Sequence, residues 1–167
     1  MPMIYVSTYA KYNNGSLGGE WVNVENFTNK DDFLSYCVDL HSDEEDPELM
    51  FQDTDEIPEG YVSECHVEEE LWDWLELSQD DREVVSVYRQ EIDSSASIDS
   101  ILDAYAGQAD SEEDYAEQLV DELGYLEQMP EHLRSYFDYE AFARDLFITD
   151  YTFARDDHGQ GYVFRAF

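Results

Sequence analysis

Asn29-Lys30-Asp31-Asp32-Phe33-Leu34-Ser35-Tyr36-Cys37-Val38-Asp39-Leu40 is the stretch on which the reading of the fold turns. Asn29 has a side chain suited to cap a helix, and Asp31 and Asp32 fall in the first turn, where the helix dipole favours negative charge. Phe33, Tyr36, Cys37 and Leu40 recur at i, i+3, i+4 and i+7, which predicts a helix over 30–40 with those four on its buried face. Upstream, residues 3–9 (MIYVSTY) are β-branched and aromatic and read as a strand. The turn-forming run Asn13–Gly19 leads from it to a return strand at Glu20–Val24 (EWVNV). Beyond the acidic loop Ser42–Pro47, Leu49-Met50-Phe51 reads as a third strand. Residues 1–60 therefore read as a small α+β domain.

Residues 61–103 read as helical. Over Val67–Leu77, Val67, Leu71, Trp74 and Leu75 fall on one side at 100° per residue, and Glu69, Asp73, Glu76 and Asp80 on the other. If the helix reaches Asp80, that side is a ladder of carboxylates rising roughly 4.5–6 Å per step. Ser78 with Asp81 resembles a capping box for a helix through Val84, Val85 and Tyr88. Ser97 caps another, through Ile98, Ile101, Leu102 and Tyr105. In residues 104–167, Ser111 and Asp114 mark a helix start, with Tyr115, Leu119 and Leu123 inward, Glu113, Glu117 and Asp121 outward, and Gly124 as its end. Pro130 opens a further helix, and Asp138 caps one through Phe142, Leu146 and Phe147. Ile148–Ala154 and Gly161–Phe167 read as a hairpin, so the C-terminal third is again α+β.

The chain has 167 residues, with 42 Asp and Glu against 8 Lys and Arg, a formal charge of −34. Gripping a nucleic-acid backbone needs a basic patch, so direct nucleic-acid binding is excluded on this reading, as is docking to an anionic membrane. Disorder is excluded as well, because 43% of residues are hydrophobic and 15% aromatic. No apolar run approaches the roughly 20 residues of a membrane span, and the N-terminus lacks the pattern of a signal peptide. With only Cys37 and Cys65, no disulfide framework suggests itself, and a soluble cytoplasmic protein is the expectation.

The distribution of the charge says more than its total. Residues 1–60 hold 14 acids against 2 bases (−12), residues 61–103 hold 13 against 2 (−11), and residues 104–167 hold 15 against 4 (−11). Charge is spread evenly among core-forming residues. At the charge spacing of duplex DNA, 34 charges occupy roughly 58 Å of axis. A single globule of this length spans roughly 40 Å, so an elongated row of small domains (α+β, all-helical, α+β) with an acidic surface fits better.

Catalytic signatures do not emerge. There is no G-x-S-x-G elbow, and Gly15-Ser16-Leu17-Gly18-Gly19 lacks the Lys-Ser/Thr of a phosphate loop. With 42 acids, no particular carboxylate pair stands out. An EF-hand frame starting at Asp110 has Glu112 and Asp114 but puts Tyr115 where Gly belongs and Asp121 where Glu belongs. Cys37 with His41, and Cys65 beside His66, do not make a tetrahedral set, and His132 and His158 stand alone. No enzyme, cofactor or metal is expected. Exposed helices ordinarily interleave charges of both signs, yet the only lysines are Lys11 and Lys30. Unpaired acid costs stability by self-repulsion, which leaves imitation of a polyanion or adaptation to high salt, with a calcium-binding module as a further alternative. Crowding is also expected to raise carboxylate pKa values, so that mild acid stabilises the fold.

Two blocks carry a resemblance. Ile4-Tyr5-Val6-Ser7-Thr8-Tyr9, Lys11-Tyr12-Asn13-Asn14-Gly15-Ser16 and Gly19-Glu20-Trp21, followed by His41-Ser42-Asp43-Glu44 and Asp46-Pro47-Glu48-Leu49-Met50-Phe51-Gln52-Asp53, resemble the ArdA antirestriction proteins. So does Pro130…Leu133…Tyr136-Phe137-Asp138-Tyr139-Glu140-Ala141-Phe142-Ala143-Arg144-Asp145-Leu146. The resemblance implies a protein of mobile DNA in a bacterial host cell that mimics bent B-form DNA. Such a protein inhibits type I restriction–modification enzymes at their specificity and methyltransferase subunits. It also implies three small domains, homodimerisation through the C-terminal part, and no catalysis. The candidate partner-contacting carboxylates are Asp43, Glu44, Glu45, Asp46, Asp53, Asp55, Glu69, Asp73, Glu76, Asp80, Glu113, Glu117 and Asp121. The candidate dimer residues are Tyr105, Tyr125, Leu126 and Met129.

Overall fold

A computed structural model describes residues 1–166, and Phe167, the last residue of the expected hairpin, lies outside it. The fold is α+β with small antiparallel sheets and divides into two compact units, Met1–Ser78 and Gln79–Phe167.

In the first unit, β1 (Met3–Thr8) is the middle strand of a three-stranded sheet, between β2 (Glu20–Asn23) and β3 (Leu49–Asp55). α1 (Tyr9–Asn13), α2 (Lys30–Leu40), the short hairpin β4–β5 (Val62–Ser63, His66–Val67) and α3 (Glu70–Glu76) complete the unit. The expected first strand stops one residue early. Thr8 instead caps α1, accepting a hydrogen bond from the Lys11 N–H. α2 has the expected bounds because Asn29 accepts from the Asp32 N–H and satisfies one of the free donors of the first turn. Of its four expected inward residues, Phe33 and Cys37 are buried and Leu40 is half-buried. Tyr36 corrects the expectation: it is 45% exposed, because its ring leans on Phe27 (5.2 Å) at the edge of the core.

The core of this unit is aromatic. Phe33 of α2 contacts Phe51 of β3 (6.1 Å between centroids) and Trp72 of α3 (5.8 Å). The Trp72 indole N–H donates to the Phe27 carbonyl at 3.1 Å. Val67, expected in the helix, lies in β5 and is buried there, so the helix begins later than its apolar spacing suggested.

In the second unit, β8 (Gly161–Arg165) is the middle strand, between β6 (Tyr105–Gln108) and β7 (Tyr151–Arg155). Its residues Gly161–Phe164 are all buried, since both faces are covered. Val163 packs with Ala109 and with Tyr115 of α6 (Glu112–Leu123), backed by Leu146 and Phe147 of α8 (Tyr139–Thr149). On the other side Phe164 meets Tyr88 of α4 (Gln79–Glu91) edge-on at 4.9 Å. α5 (Ile98–Ala104) packs beside α4, and α7 (Glu131–Arg134) is a single turn after Pro130. Two readings are corrected. Tyr105 leaves the helix and starts β6, and Ile148 belongs to α8 rather than to the hairpin.

Capping gives a direct test of what fixes α2. Asn29→Ala is expected to lower unfolding free energy by about 1 kcal/mol. The urea midpoint should fall with an unchanged denaturant slope.

Candidate functional site

None of the 42 carboxylate residues is buried, and only Glu44, Glu70, Asp81, Asp114 and Asp156 are half-buried. The candidate carboxylates fall into three groups with different surroundings.

The first group follows α2. The Lys11 ammonium, 18% exposed, lies 2.9 Å from Asp43 and 3.8 Å from Glu44, and donates to Nδ1 of the buried His41 at 2.8 Å. Thr8 donates its hydroxyl to Glu44 at 2.6 Å. Asp43 and Glu44 thus hold the loop to the end of β1 and share the single charge of Lys11. Glu45 and Asp46 are exposed and in no ion pair with a described residue, as is Asp55 on β3; Asp53 accepts from the Thr54 N–H at 2.9 Å.

The second group does not form one ladder. α3 ends at Glu76, and Leu77 adopts an extended conformation (ψ 154°) that stops the helix. Glu69, Asp73 and Glu76 line the exposed side of α3 and its cap, while Asp80 belongs to α4 in the other unit. The single rigid rod expected through Asp80 is corrected accordingly.

The third group lines α6. Ser111 accepts from the Asp114 N–H, and Gly124 ends α6 in the left-handed conformation (φ 64°), where a side chain would be strained. Glu113, Glu117 and Asp121 lie four residues apart on the exposed face, with a rise of about 6 Å between neighbours. Tyr115, Ala116 and Val120 are buried on the opposite face and fix the helix to its unit. None of the three outer carboxylates pairs with a described cation.

Several cations are committed elsewhere. Arg134 donates to the carbonyls of Met129 and Glu127, and Arg155 to those of Gly159 (2.7 Å) and Asp110 (2.5 Å). Arg89 donates to the Ala96 carbonyl. These arginines brace loops, a role that composition did not reveal.

Asp43 titrates below the ordinary carboxylate range because of Lys11, and Asp93 does so because Ser95 donates to it twice. At both positions local donors prevail over the expected upward push from crowding. Burial pushes the Cys37 thiol up to about 12, which leaves it protonated and inert. Among the described residues no group of three or more His, Cys, Asp and Glu side chains is placed to hold a metal ion, and no helix is long and apolar enough to cross a membrane.

Of the candidate dimer residues, Tyr105 packs against Tyr162 and Phe164 of its own sheet. Tyr125 is exposed, and Leu126 and Met129 are half-buried in the turn after α6. Leu133 and Tyr136, and Leu123, which was expected to face inward, are exposed in the same stretch. Leu123 sits at an inward position of the helical repeat but lies in the last turn, beyond the reach of the core.

Compared with known families, residues 4–163 match the family model described as antirestriction protein (ArdA). No curated protein matches the chain.

The Lys11 cluster yields a pH prediction. A carboxyl whose folded pKa is depressed stabilises the fold above its unfolded pKa, and that contribution is lost as pH falls through the folded pKa. Lys11→Met is expected to bring the Asp43 pKa, followed by carboxyl NMR, back up toward the ordinary value. An unmoved Asp43 titration would contradict the assignment.

Proposed function

The chain belongs to the ArdA antirestriction family, and from that premise we propose that it acts as a DNA mimic. In this reading it occupies the DNA-binding site of a type I restriction–modification enzyme, at the specificity and methyltransferase subunits, and blocks restriction of incoming mobile DNA. The proposal includes the acidic surface shared by three modules, 1–60, 61–103 and 104–167, and action in the bacterial cytoplasm without catalysis or direct nucleic-acid binding. The family is one of inhibitors rather than enzymes.

The observation that carries the reading is the α6 stripe. Glu113, Glu117 and Asp121 are exposed, in no ion pair with a described residue, and fixed on a helix whose other face is in the core. DNA-binding proteins gain most of their non-specific affinity by setting Lys and Arg against phosphates, and read sequence from base edges. A surface that offers the charges without the bases competes for enzymes of differing recognition sequence. Because the charges sit on packed elements, little conformational entropy is lost on docking. Glu69, Asp73 and Glu76 on α3 supply the same device in the first unit.

Neutralising Glu113, Glu117 and Asp121 together (to Gln, Gln and Asn) is expected to weaken inhibition of a type I methyltransferase core about tenfold, from roughly 0.5 kcal/mol per lost ion pair. Inhibition by the unaltered protein should fall steeply with added salt. An unchanged inhibition constant for the triple variant would sink the proposal. A cooperative melt in dilute buffer separates it from adaptation to molar salt.

Homodimerisation through the C-terminal part is proposed with it, with Tyr105, Tyr125, Leu126 and Met129 as its candidate residues. The exposed Leu123, Leu133 and Tyr136 nearby support this placement. Tyr125→Glu with Met129→Glu should give a monomer in sedimentation at concentrations where the unaltered protein is a dimer. A variant that still dimerises would remove these residues from the interface.

A further inference from the structure

The outer face of the first sheet carries a feature that negative charge alone does not explain. Alternation along β1 sends Ile4 and Val6 into the core and Met3 and Tyr5 to the opposite face. Residues directly opposite in a sheet share a face. Tyr5 lies between Trp21 on β2 and Asp53 on β3, and Met3 lies between Asn23 and Asp55. Two parallel rows result, Trp21–Tyr5–Asp53 and Asn23–Met3–Asp55, each ending in an exposed carboxylate at β3.

The aromatic part is rigid. The Tyr5 and Trp21 rings meet edge to face, 5.4 Å between centroids. The Tyr5 hydroxyl donates to the Leu17 carbonyl at 3.2 Å, and a Cβ on Gly19 would run into the Tyr5 ring. Trp21 is 45% exposed, whereas Trp72 and Trp74 are buried. The unit also contains no arginine; its cations are the N-terminal ammonium, paired with Glu56 beside Asp55, Lys11, held by Asp43 and His41, and Lys30. Neither ring is covered by a cation of the chain's own among the described residues.

We infer that this face receives an arginine side chain of the basic partner, stacked on Trp21 beside Tyr5 and paired with the carboxylates Asp53 and Asp55. The inference rests on the DNA-mimic reading for the partner's identity. A guanidinium is planar, weakly hydrated and forked, so it lies on an aromatic face while donating to a carboxylate beside it. An ammonium is a strongly hydrated point charge and gains less from the ring. The surrounding charge of −34 draws cations of either kind, and the ring pair adds the preference for arginine. An arginine that lies along a phosphate backbone with its plane near the bases finds both elements here, a carboxylate and a flat ring.

The test uses the intact protein and two peptides of equal length, oligoarginine and oligolysine, titrated by calorimetry. Oligoarginine is expected to bind about threefold more tightly, the size of one exposed cation–π contact. Trp21→Phe should keep that preference. Trp21→Leu should abolish it while leaving oligolysine affinity unchanged, and Asp53→Asn with Asp55→Asn should weaken both peptides without touching a ring. Equal affinities for the two peptides would overturn the inference, as would a preference that survives in Trp21→Leu or peptide affinities unchanged in the double Asn variant. No restriction enzyme takes part, so the outcome is independent of the inhibition assay. A protein that prefers arginine yet fails to inhibit a type I enzyme supports this face and counts against the mimicry.

Discussion

Everything in this protein is arranged around one constraint: 42 carboxylates share a surface with eight Lys and Arg side chains. Mutual repulsion cannot be cancelled by pairing, so folding has to be carried by terms indifferent to charge. Two such terms are visible. Aromatic and aliphatic burial forms a core in each unit, around Phe33, Phe51 and Trp72 in one and around Val163, Phe164 and Tyr115 in the other. Side-chain caps close the helix starts at Asn29, Ser97, Ser111 and Asp138. Each cap satisfies a backbone donor with a neutral or acidic acceptor where the helix dipole already favours negative charge. The acidic composition and the helix starts are therefore compatible at the same positions.

The few cations are placed where a positive group does most for the backbone. Arg134 and Arg155 each donate to two loop carbonyls, and Arg155 joins the β7–β8 turn to Asp110, 45 residues away. An arginine bound to carbonyls leaves nearby carboxylates unneutralised. Lys11 is the opposite case, and it shows why formal charge overstates what a partner meets. Asp43 and Glu44 count toward −34, yet they face a lysine and a threonine of their own unit. Glu113, Glu117 and Asp121 have no such partner.

Elements specified by local chemistry could be read before the structure was known. The bounds of α2, the start of α6 at Ser111 and its end at Gly124 depend on residues within one turn of each other. The outward face of α6 follows from the same short range, whereas Leu123, expected inward, is exposed in the last turn. What escaped was non-local. β6 is a strand because Tyr105, Gly107 and Gln108 pair with β8, more than 50 residues later, and nothing in Tyr105–Gln108 announces this. The β4–β5 hairpin took Val67 from the expected helix. Trp72, absent from the expected apolar face of α3, is tied to the core by Phe33 and by the Phe27 carbonyl, both over 35 residues upstream. The carboxylate ladder through Asp80 failed for a local reason, the extended Leu77, that side-chain periodicity does not report.

The same contrast bears on how the surface works. A charge that must meet a fixed cation in a partner is useful only if its own position is fixed, since otherwise ordering it on contact opposes binding. An acidic loop satisfies composition and fails this requirement, whereas a stripe on a packed helix satisfies both. α6 holds its outer carboxylates in place through Tyr115, Ala116 and Val120 on the other face. The first sheet holds Asp53 opposite Tyr5 by strand register, with the core residues Ile4 and Val6 on the reverse side. In both places the apolar residues that overcome the repulsion also aim the charges. Core and acidic surface are two faces of the same short elements, which is why acid is distributed through all three thirds of the chain and not gathered in a tail.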